Sequence, residues 1–572
     1  MSRIATELTE LVYQALVASD CAPESGEIER VLPSKNAQQG DFQSNVCFRL
    51  AKQVKSNPRA LAEKVAAAMP AHPGVVSVDV AGPGFLNFSV SDAWVGEVLA
   101  EQMNDPHLGL EQRTGCVVVD YSSPNVAKRM HVAHLRSTVI GNALDRCLRF
   151  SGYQVVADNH IGDWGTQFGK LIVAWRKWVD EAAFEADPIG ELQRIYVRFA
   201  DEAELRPELA EAARAETAKL QAGDPANREL WSMFISVSMK EFDGLYKRLG
   251  VHFDVTLGES FYNDKLQPMV DELLESGVAT HSEGAVIVPF QPEDGKGLGD
   301  TPMLIRKKDG AALYATTDLA TVRHRIDTWN PSHVLYVTDT RQQLHFRQLF
   351  AGCKKLGWSD AELVHVWFGL LSLPGGAMST RKGNVINLKD LLDEAVRRAR
   401  VVVDEKNPDL AEDVRADIAE AVGVGAVRYA DLSQNPQSNV VFDWDKMLAL
   451  DGNTAPYLLY TYARCRSLQV KGGIEKGEVG AHRLTSAVER GLALQLMRFP
   501  EAVNGVLKTY RPNLLCDYLF GLGSQFNRFY YELPVLKAEG EERAARLALV
   551  ESTARVLASG LDLLGIRPLE RM

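Results

Sequence analysis

Cys116-Val-Val-Val-Asp120 runs directly into Tyr121-Ser-Ser-Pro-Asn-Val-Ala-Lys-Arg-Met-His131, and from there into Val132-Ala-His-Leu-Arg136. The first piece is a short β-branched run, suited to a parallel strand buried on both faces. Past the loop, Leu135, Val139, Ala143 and Cys147 recur every fourth residue, which predicts a helix with one buried stripe. Strand, loop and helix in that order open a nucleotide-binding α/β fold. Two more buried strands are expected at 333–337 (HVLYV) and 364–370 (VHVWFGL), with a helical segment over 344–356 between them.

The loop has the composition of an anion site. It lies before a helix N-terminus, where unpaired N–H groups and a partial positive charge await a ligand. No acid occurs between Asp120 and Asp145, whereas Lys128, Arg129 and Arg136 do. Ala127 and Ala133 let a ligand approach the backbone, and His131 and His134 can donate to phosphate oxygens. These features suit phosphoryl or nucleotidyl transfer, which depends on positioning and charge stabilisation. A strand–helix turn with surface basic residues and capping histidines fits the same spacing. His131-x-x-His134 lacks the Glu and the spacing of a zinc-binding H-E-x-x-H, so no metal site is expected here.

Outward from this core, the opening residues 1–108 read as a small α+β domain. It has a helix over 60–69 and strands over 75–80 and 85–90 around Gly82-Pro83-Gly84. Residues 109–387 form the parallel-sheet domain, interrupted over about 170–282 by a charged, mostly helical insertion. Residues 388–572 read as all-α. The seven cysteines show no C-x-x-C pair, which excludes a zinc ribbon or a redox couple and leaves buried thiols. No apolar run is long enough to span a bilayer, and the first residues lack a secretory core, so a cytoplasmic protein is expected. Net charge is −12, from 63 basic and 75 acidic residues, which argues against indiscriminate nucleic-acid binding. The part beyond Ala421 carries a slight basic excess on an otherwise acidic chain, room for an RNA to dock locally.

Ser122-Ser-Pro-Asn-Val-Ala-Lys-Arg-Met-His-Val-Ala-His-Leu-Arg-Ser137 resembles the first signature of class I aminoacyl-tRNA synthetases, in the extended form of arginyl-tRNA synthetases. The four signature positions fall on His131, Val132, Ala133 and His134, with Ala133 in place of the usual glycine. Further segments resemble the same family. They are Asn159-His-Ile-Gly-Asp-Trp-Gly-Thr-Gln-Phe-Gly169, Ala312-Leu-Tyr-Ala-Thr-Thr-Asp-Leu-Ala320, Gly452-Asn-Thr-Ala-Pro-Tyr-Leu-Leu-Tyr460 and the ending Leu564-Gly-Ile-Arg-Pro-Leu-Glu-Arg-Met572. The opening domain, with Gly40-Asp-Phe-Gln-Ser-Asn45 and Gly82-Pro-Gly-Phe-Leu-Asn-Phe88, is similar to the family's extra domain that meets the tRNA elbow. The second signature departs from the pattern. In Gly376-Ala-Met-Ser-Thr-Arg-Lys-Gly-Asn384, Met378 and Ser379 match, but Ala377 and Thr380 stand where two lysines belong.

The resemblance implies a set of roles. His131 and His134 meet ATP phosphates. Pro124, Asn125, Val126, Ala127, Lys128, Val132, Ala133, Met378 and Ser379 line the ATP site. Arg381, Lys382 and Lys128 supply the charge of the missing lysines, and activation of the amino acid waits for bound tRNA. Tyr314 and Asp318 line the arginine side-chain pocket, where a carboxylate takes a guanidinium in a two-point fork. Gln342 is a further contact, with the register at the Gln342-Gln343 pair open by one. Ser123, Asn125 and His134 hold the α-amino and carboxylate end. Tyr457, Tyr460 and Arg464 share one helix face. They, with Met572 and more weakly Arg528 and Tyr530, are implied to meet the anticodon; a core stripe has the same spacing. The implied partners are tRNA(Arg), L-arginine and ATP, with Mg²⁺ brought by ATP, no zinc, and a monomeric enzyme. Two other readings stay open. One is another class I synthetase, of glutaminyl type or, against the missing zinc-ligand cysteines, cysteinyl type. The other is an inactive relative that only binds RNA.

Overall fold

The computed structural model describes residues 3–23, 25–34, 39–372, 387–477 and 480–572. The chain opens with the helix Arg3–Ala18 and a four-stranded antiparallel sheet of β1 (Leu32–Pro33), β2 (Phe42–Ser44), β3 (Val75–Ala81) and β4 (Phe85–Val90), in the order β1-β2-β4-β3. The expected strands and turn are present. Gly84 sits at φ +132°, where a Cβ would come within 2.6 Å of the Pro58 carbonyl oxygen, so only glycine passes here.

The central sheet holds β5 (Cys116–Asp120) and β6 (Gln154–Asp158). A small antiparallel sheet of β7 (Thr280–Ser282), β8 (Ala285–Val288) and β9 (Met303–Arg306) follows in the chain, a unit that helical composition did not reveal. Then come β10 (His333–Asp339) and β11 (Glu362–Phe368), and the central order is β11-β10-β5-β6, all parallel. Val117 and Val119 point into one hydrophobic core and Val118 into another, which is why β5 is apolar at successive positions. The helices Val132–Phe150, Tyr314–Trp329 and Gln343–Lys355 cover the sheet, with Leu135, Val139, Ala143 and Cys147 buried as expected. β11 ends two residues earlier than the sequence suggests. A Cβ on Gly369 would lie 2.5 Å from the Ser438 carbonyl oxygen, so the chain leaves the sheet there through a close crossing.

The insertion contains the helices Thr166–Trp178, Glu181–Ala186, Pro188–Leu205, Pro207–Gln221 and Pro225–Leu249, with a hydrophobic core of their own. An irregular return, 250–258, leads to the turn Glu259–Lys265 and the helix Leu266–Glu275. Beyond Leu388 the described chain is helical except for Val440–Val441, which pairs in parallel with Leu371–Ser372. The C-terminal bundle comprises the helices Ala455–Gly472, Ala487–Met497, Phe499–Thr509, Asn513–Glu532 and Gly540–Leu563. No helix among the described residues is long and apolar enough to cross a membrane.

Candidate active site

β5, β6 and β10 all end in aspartate, at Asp120, Asp158 and Asp339, and the loops beyond them converge at the carboxyl edge of the sheet. Parallel α/β sheets bind ligands at this edge. The Tyr121–Met130 loop starts here in a constrained form: Ser122, Ser123 and Ala127 hold φ of +71°, +48° and +62°. Non-glycine residues in that region carry strain, which marks a functional loop when the surroundings enforce it. Here the enforcing contacts are dense. Ser122 N–H donates to Ser137 Oγ (2.9 Å), Ser123 N–H to Asn159 Oδ1 (3.1 Å), Ser123 Oγ to Asp120 Oδ1 (2.9 Å) and Ala127 N–H to Ser238 Oγ (3.0 Å). Asn125 bridges to Gly162, with Val126 N–H donating to Gly162 O and Gly162 N–H to Pro124 O, both at 3.1 Å.

The spacing of His131 and His134 has a local cause. His131 is the N-cap of the Val132–Phe150 helix, and its Nδ1 accepts from Ala133 N–H at 3.2 Å. His134, at the third helical position, returns the favour: its Nδ1 accepts from His131 N–H at 3.1 Å. Two imidazoles thus replace the usual Ser and Glu of a capping box, and their rings lie 4.0 Å apart. Because each Nδ1 accepts, the proton of each neutral ring sits on Nε2. Burial, with His131 next to it, pushes His134 down to about 3; burial, Lys128 and Arg341 lower His131 as well. The pair is neutral and presents two Nε2–H donors beside the helix N-terminus, next to the exposed backbone at Ala133. Capping and anion donation are one arrangement.

The other basic residues of this stretch go elsewhere. Arg136, grouped by its sequence position with an anion-binding loop, is buried and paired with Asp431 (2.7 Å), a correction. A helix residue five past the N-cap points to the core, here toward the C-terminal half. Arg129 pairs with Asp187 of the insertion. Lys128 lies over the Tyr196 ring, 4.9 Å from its centroid, and burial and Lys170 lower its pKa.

On the far side of the loop the Tyr314–Trp329 helix presents Tyr314 and Asp318 one turn apart. Tyr314 is 73% exposed, an open wall. Asp318 Oδ2 accepts from His345 Nε2 at 2.6 Å, leaving Oδ1 for a ligand. Burial pulls the His345 pKa down, but the hydrogen bond and charge of Asp318 outweigh it and the net shift is upward. Glu259 was not anticipated, and it belongs here. Burial, opposed by His160 and reinforced by the charges of Asp318 and Asp163, pushes its pKa up to about 7. Its turn is pinned by the Asn159–Gly169 segment. Asp163 accepts from Ser260 N–H (2.8 Å) and Oγ (2.5 Å), and His160 Nδ1 donates to Leu257 O (2.8 Å). Three carboxyl groups close enough to act on one another, one of them holding its proton near neutrality, suit a cationic ligand. Gln342 is exposed in the turn Thr340–Gln342, whereas Gln343 donates to Thr340 Oγ1 at 2.7 Å.

In the C-terminal bundle the Tyr457, Tyr460, Arg464 stripe divides. Tyr457 packs 5.6 Å from Phe520 and its hydroxyl accepts from Asn527 Nδ2 at 2.8 Å. Tyr460 is 42% exposed, and the Arg464 guanidinium stacks 4.8 Å from it, 4.9 Å from Tyr530 and 5.8 Å from Tyr531. Tyr531, 76% exposed, extends this surface beyond the residues singled out from sequence. Arg528 pairs with Glu532, and Met572 is half-buried against the core. Met378, Ser379, Arg381 and Lys382 lie outside the described residues.

Comparison with known proteins agrees with this layout. Residues 3–90 match the arginyl tRNA synthetase N terminal domain, 95–444 the catalytic domain of class I (R) tRNA synthetases, and 458–572 the DALR anticodon binding domain. The chain is similar, at 47% identity over 94% of both chains, to the arginine–tRNA ligase of Fusobacterium nucleatum subsp. nucleatum. It is 41% identical over 99% of both chains to that of Edwardsiella ictaluri. Among solved structures it resembles the arginyl-tRNA synthetase of Plasmodium falciparum (TM-score 0.83, 27% identity, all of both chains). It also resembles that of Thermus thermophilus (TM-score 0.84, 26% identity, 99% of this chain and 100% of the other). A class I (R) catalytic-domain match over 95–444 and relatives 41–47% identical over nearly the whole chain show that it belongs to the class I arginyl-tRNA synthetase family.

Proposed function

We propose that the chain is an arginine–tRNA ligase that works in two steps at this edge. A carboxylate oxygen of L-arginine attacks the α-phosphorus of ATP and diphosphate leaves, giving arginyl-adenylate. A hydroxyl of the 3′-terminal ribose of tRNA(Arg) then attacks the carbonyl carbon, and AMP leaves. The observation that carries this reading is the pairing of two opposite sites on one edge. Neutral Nε2–H donors of His131 and His134 stand by a helix N-terminus, and the carboxyl groups of Asp318 and Glu259 gather nearby. The donors suit the charge that develops on phosphate oxygens; the carboxyl groups suit a guanidinium. Ser123, Asn125 and His134 take the α-amino and carboxylate end, Tyr314, Asp318 and Gln342 the side chain. Pro124 to Lys128 and His131 to His134, with Met378 and Ser379, take ATP.

Mg²⁺ comes with ATP. An ion carried on the phosphates needs no all-protein cage. Lys128, Arg381 and Lys382 supply the diphosphate charge in place of the lysines replaced by Ala377 and Thr380. Activation depends on bound tRNA, in keeping with the two signature lysines that this chain lacks. The exposed Tyr460, Arg464, Tyr530 group receives the anticodon loop, with stacking of splayed bases as its mode of contact. The domains run 1–108, 109–387 and 388–572, and the enzyme acts as a cytoplasmic monomer. Seven free thiols suit a reducing compartment.

The test is exchange of labelled diphosphate into ATP over a panel of amino acids, with and without tRNA. Arginine alone should support exchange, and only when tRNA is present. Asp318→Asn should raise the KM for arginine and leave that for ATP unchanged. Exchange with another amino acid refutes the specificity, and brisk exchange without tRNA refutes the dependence.

A further inference from the structure

Arg325 lies seven residues past Asp318 on the same helix face, about 10 Å along the axis. It is fully buried. Its Nη2 donates to Asp120 Oδ2 and Asp158 Oδ2, both at 2.7 Å, and its Nε to Asp158 Oδ2 at 3.2 Å. The Tyr336 ring stands 5.2 Å from the guanidinium. Asp120 and Asp158 are register partners at the ends of β5 and β6, so two carboxylates sit side by side in the interior. The second oxygen of Asp120 accepts from Ser123 Oγ at 2.9 Å, and Ser123 holds φ +48°. An unbroken path therefore runs from Asp318 through two helical turns to Arg325, across to Asp120, and out to Ser123.

A buried charge cluster is an inefficient source of stability, because desolvation offsets most of the attraction, so this one calls for another role. One rigid guanidinium donates to both carboxylates and so fixes them relative to each other, which a flexible lysine ammonium would not reproduce. The two ends of the path are the two ends of the amino-acid pocket. We infer that Arg325 is a positioning residue that sets the distance between the α-amino end at Ser123 and the guanidinium end at Tyr314 and Asp318. It thereby sets the side-chain length the enzyme accepts. The inference rests on the assignment of those two ends under the proposed function.

The experiment measures kcat/KM for arginine, for its homologue one methylene longer and for its homologue one methylene shorter, in tRNA charging by the full-length enzyme. Arg325→Lys and Asp120→Asn are compared with wild type. Asp120→Asn keeps the Arg325–Asp158 pair and carries the test if Arg325→Lys does not fold. Expected for each variant is an arginine KM raised about tenfold, well inside the loss a 1 Å misplacement causes, with the ATP KM unchanged. The preference for arginine over the longer or shorter homologue should fall at least about fivefold, a fraction of what one methylene is worth in a shaped pocket. An equal fall in kcat/KM for all three amino acids means a structural role only, and overturns the inference. Asp318→Asn separates the two layers. If it leaves the arginine KM unchanged, the pocket assignment fails and the inference with it. If it raises the arginine KM while the other variants keep wild-type length preference, the inference alone fails.

Discussion

A carboxyl group that titrates near neutrality turns substrate affinity into a function of pH, and Glu259 is such a group. Its pKa of about 7 follows from burial, opposed by His160 and reinforced by Asp318 and Asp163. A guanidinium bound beside it favours the ionised carboxylate, so arginine binds best where Glu259 has lost its proton. The sign is therefore fixed: the KM for arginine falls as pH rises through about 7. His345 acts in the same direction. Its raised pKa reflects an ion pair with Asp318 that competes with the substrate, and the competition weakens once His345 loses its proton. Glu259→Gln should flatten most of the profile between pH 6 and 8 and weaken arginine binding at pH 8 by about 1–3 kcal/mol, the scale of a charged hydrogen bond lost. ATP affinity should not follow. Isothermal titration of arginine at several pH values checks this; an unchanged profile in the variant would assign the pH dependence to His345 alone. Sequence offered no sign of Glu259, because 58 intervening residues separate it from Asp318 and only the fold brings the two together.

At the scale of the element, the Ala455–Gly472 helix shows why a shared face is not a shared role. Tyr457 is wedged against Gly523 and Phe520 on the neighbouring helix, whereas Tyr460 and Arg464 reach the surface through a sheath of tyrosines. Tyr457→Ala should destabilise the bundle by roughly 2–4 kcal/mol through cavity formation and the stranded Asn527 amide. Tyr460→Ala and Arg464→Ala should instead weaken tRNA binding by about 1–3 kcal/mol per lost stack with little change in melting temperature. Parallel thermal melts and tRNA titrations distinguish them, and a Tyr460→Ala protein that melts early yet binds tRNA normally would restore the core reading for the whole stripe. Elements with strong periodicity were legible in this way: the signature helix, β5, β10 and the Gly82–Gly84 hairpin all fall where pattern and turn chemistry put them. The antiparallel sheet β7–β9 was not. Its strands are three or four residues long, too short for a two-residue period to stand out from the charged segment around them. The histidine pair was legible as an anion site, but its second function as a reciprocal cap needed coordinates, since imidazole is not among the side chains that usually announce a helix start.

The whole molecule is joined through one helix. Glu412–Leu432 packs on the signature helix at one side and on the Ala455–Gly472 helix at the other. Asp431 takes Arg136, whose Nη1 also donates to Gly369 O (2.7 Å) and Ser438 O (2.9 Å), where β11 leads toward the second signature. One turn earlier, Arg428 donates to Leu249 O (2.5 Å), Leu564 O (2.9 and 3.1 Å) and Asn142 Oδ1 (2.8 Å). Two of these carbonyls terminate long helices, from the insertion and from the C-terminal bundle, where the macrodipole favours a cation. Tyr429 between them reaches Asn453 Oδ1 at 2.6 Å, at the start of the helix that carries Tyr460 and Arg464. Polar contacts from a single turn of this helix, Arg428 to Asp431, thus hold the insertion, the sheet and the bundle in one arrangement, and the interior they cross is continuous from the opening domain to the last helix. Removing one partner of the Arg136–Asp431 pair leaves a fully buried charge without compensation, a loss of about 3–5 kcal/mol. Asp431→Ala should therefore lower the urea midpoint of the catalytic and bundle signals together, followed by tryptophan fluorescence and by far-ultraviolet circular dichroism. Double replacement with Arg136→Met should recover part of the loss, since it removes the stranded charge. If the two probes separate in the single variant, the bundle unfolds on its own and the pair is a local contact; if the double variant is no better than the single, the carbonyls of Gly369 and Ser438 hold Arg136 more firmly than Asp431 does.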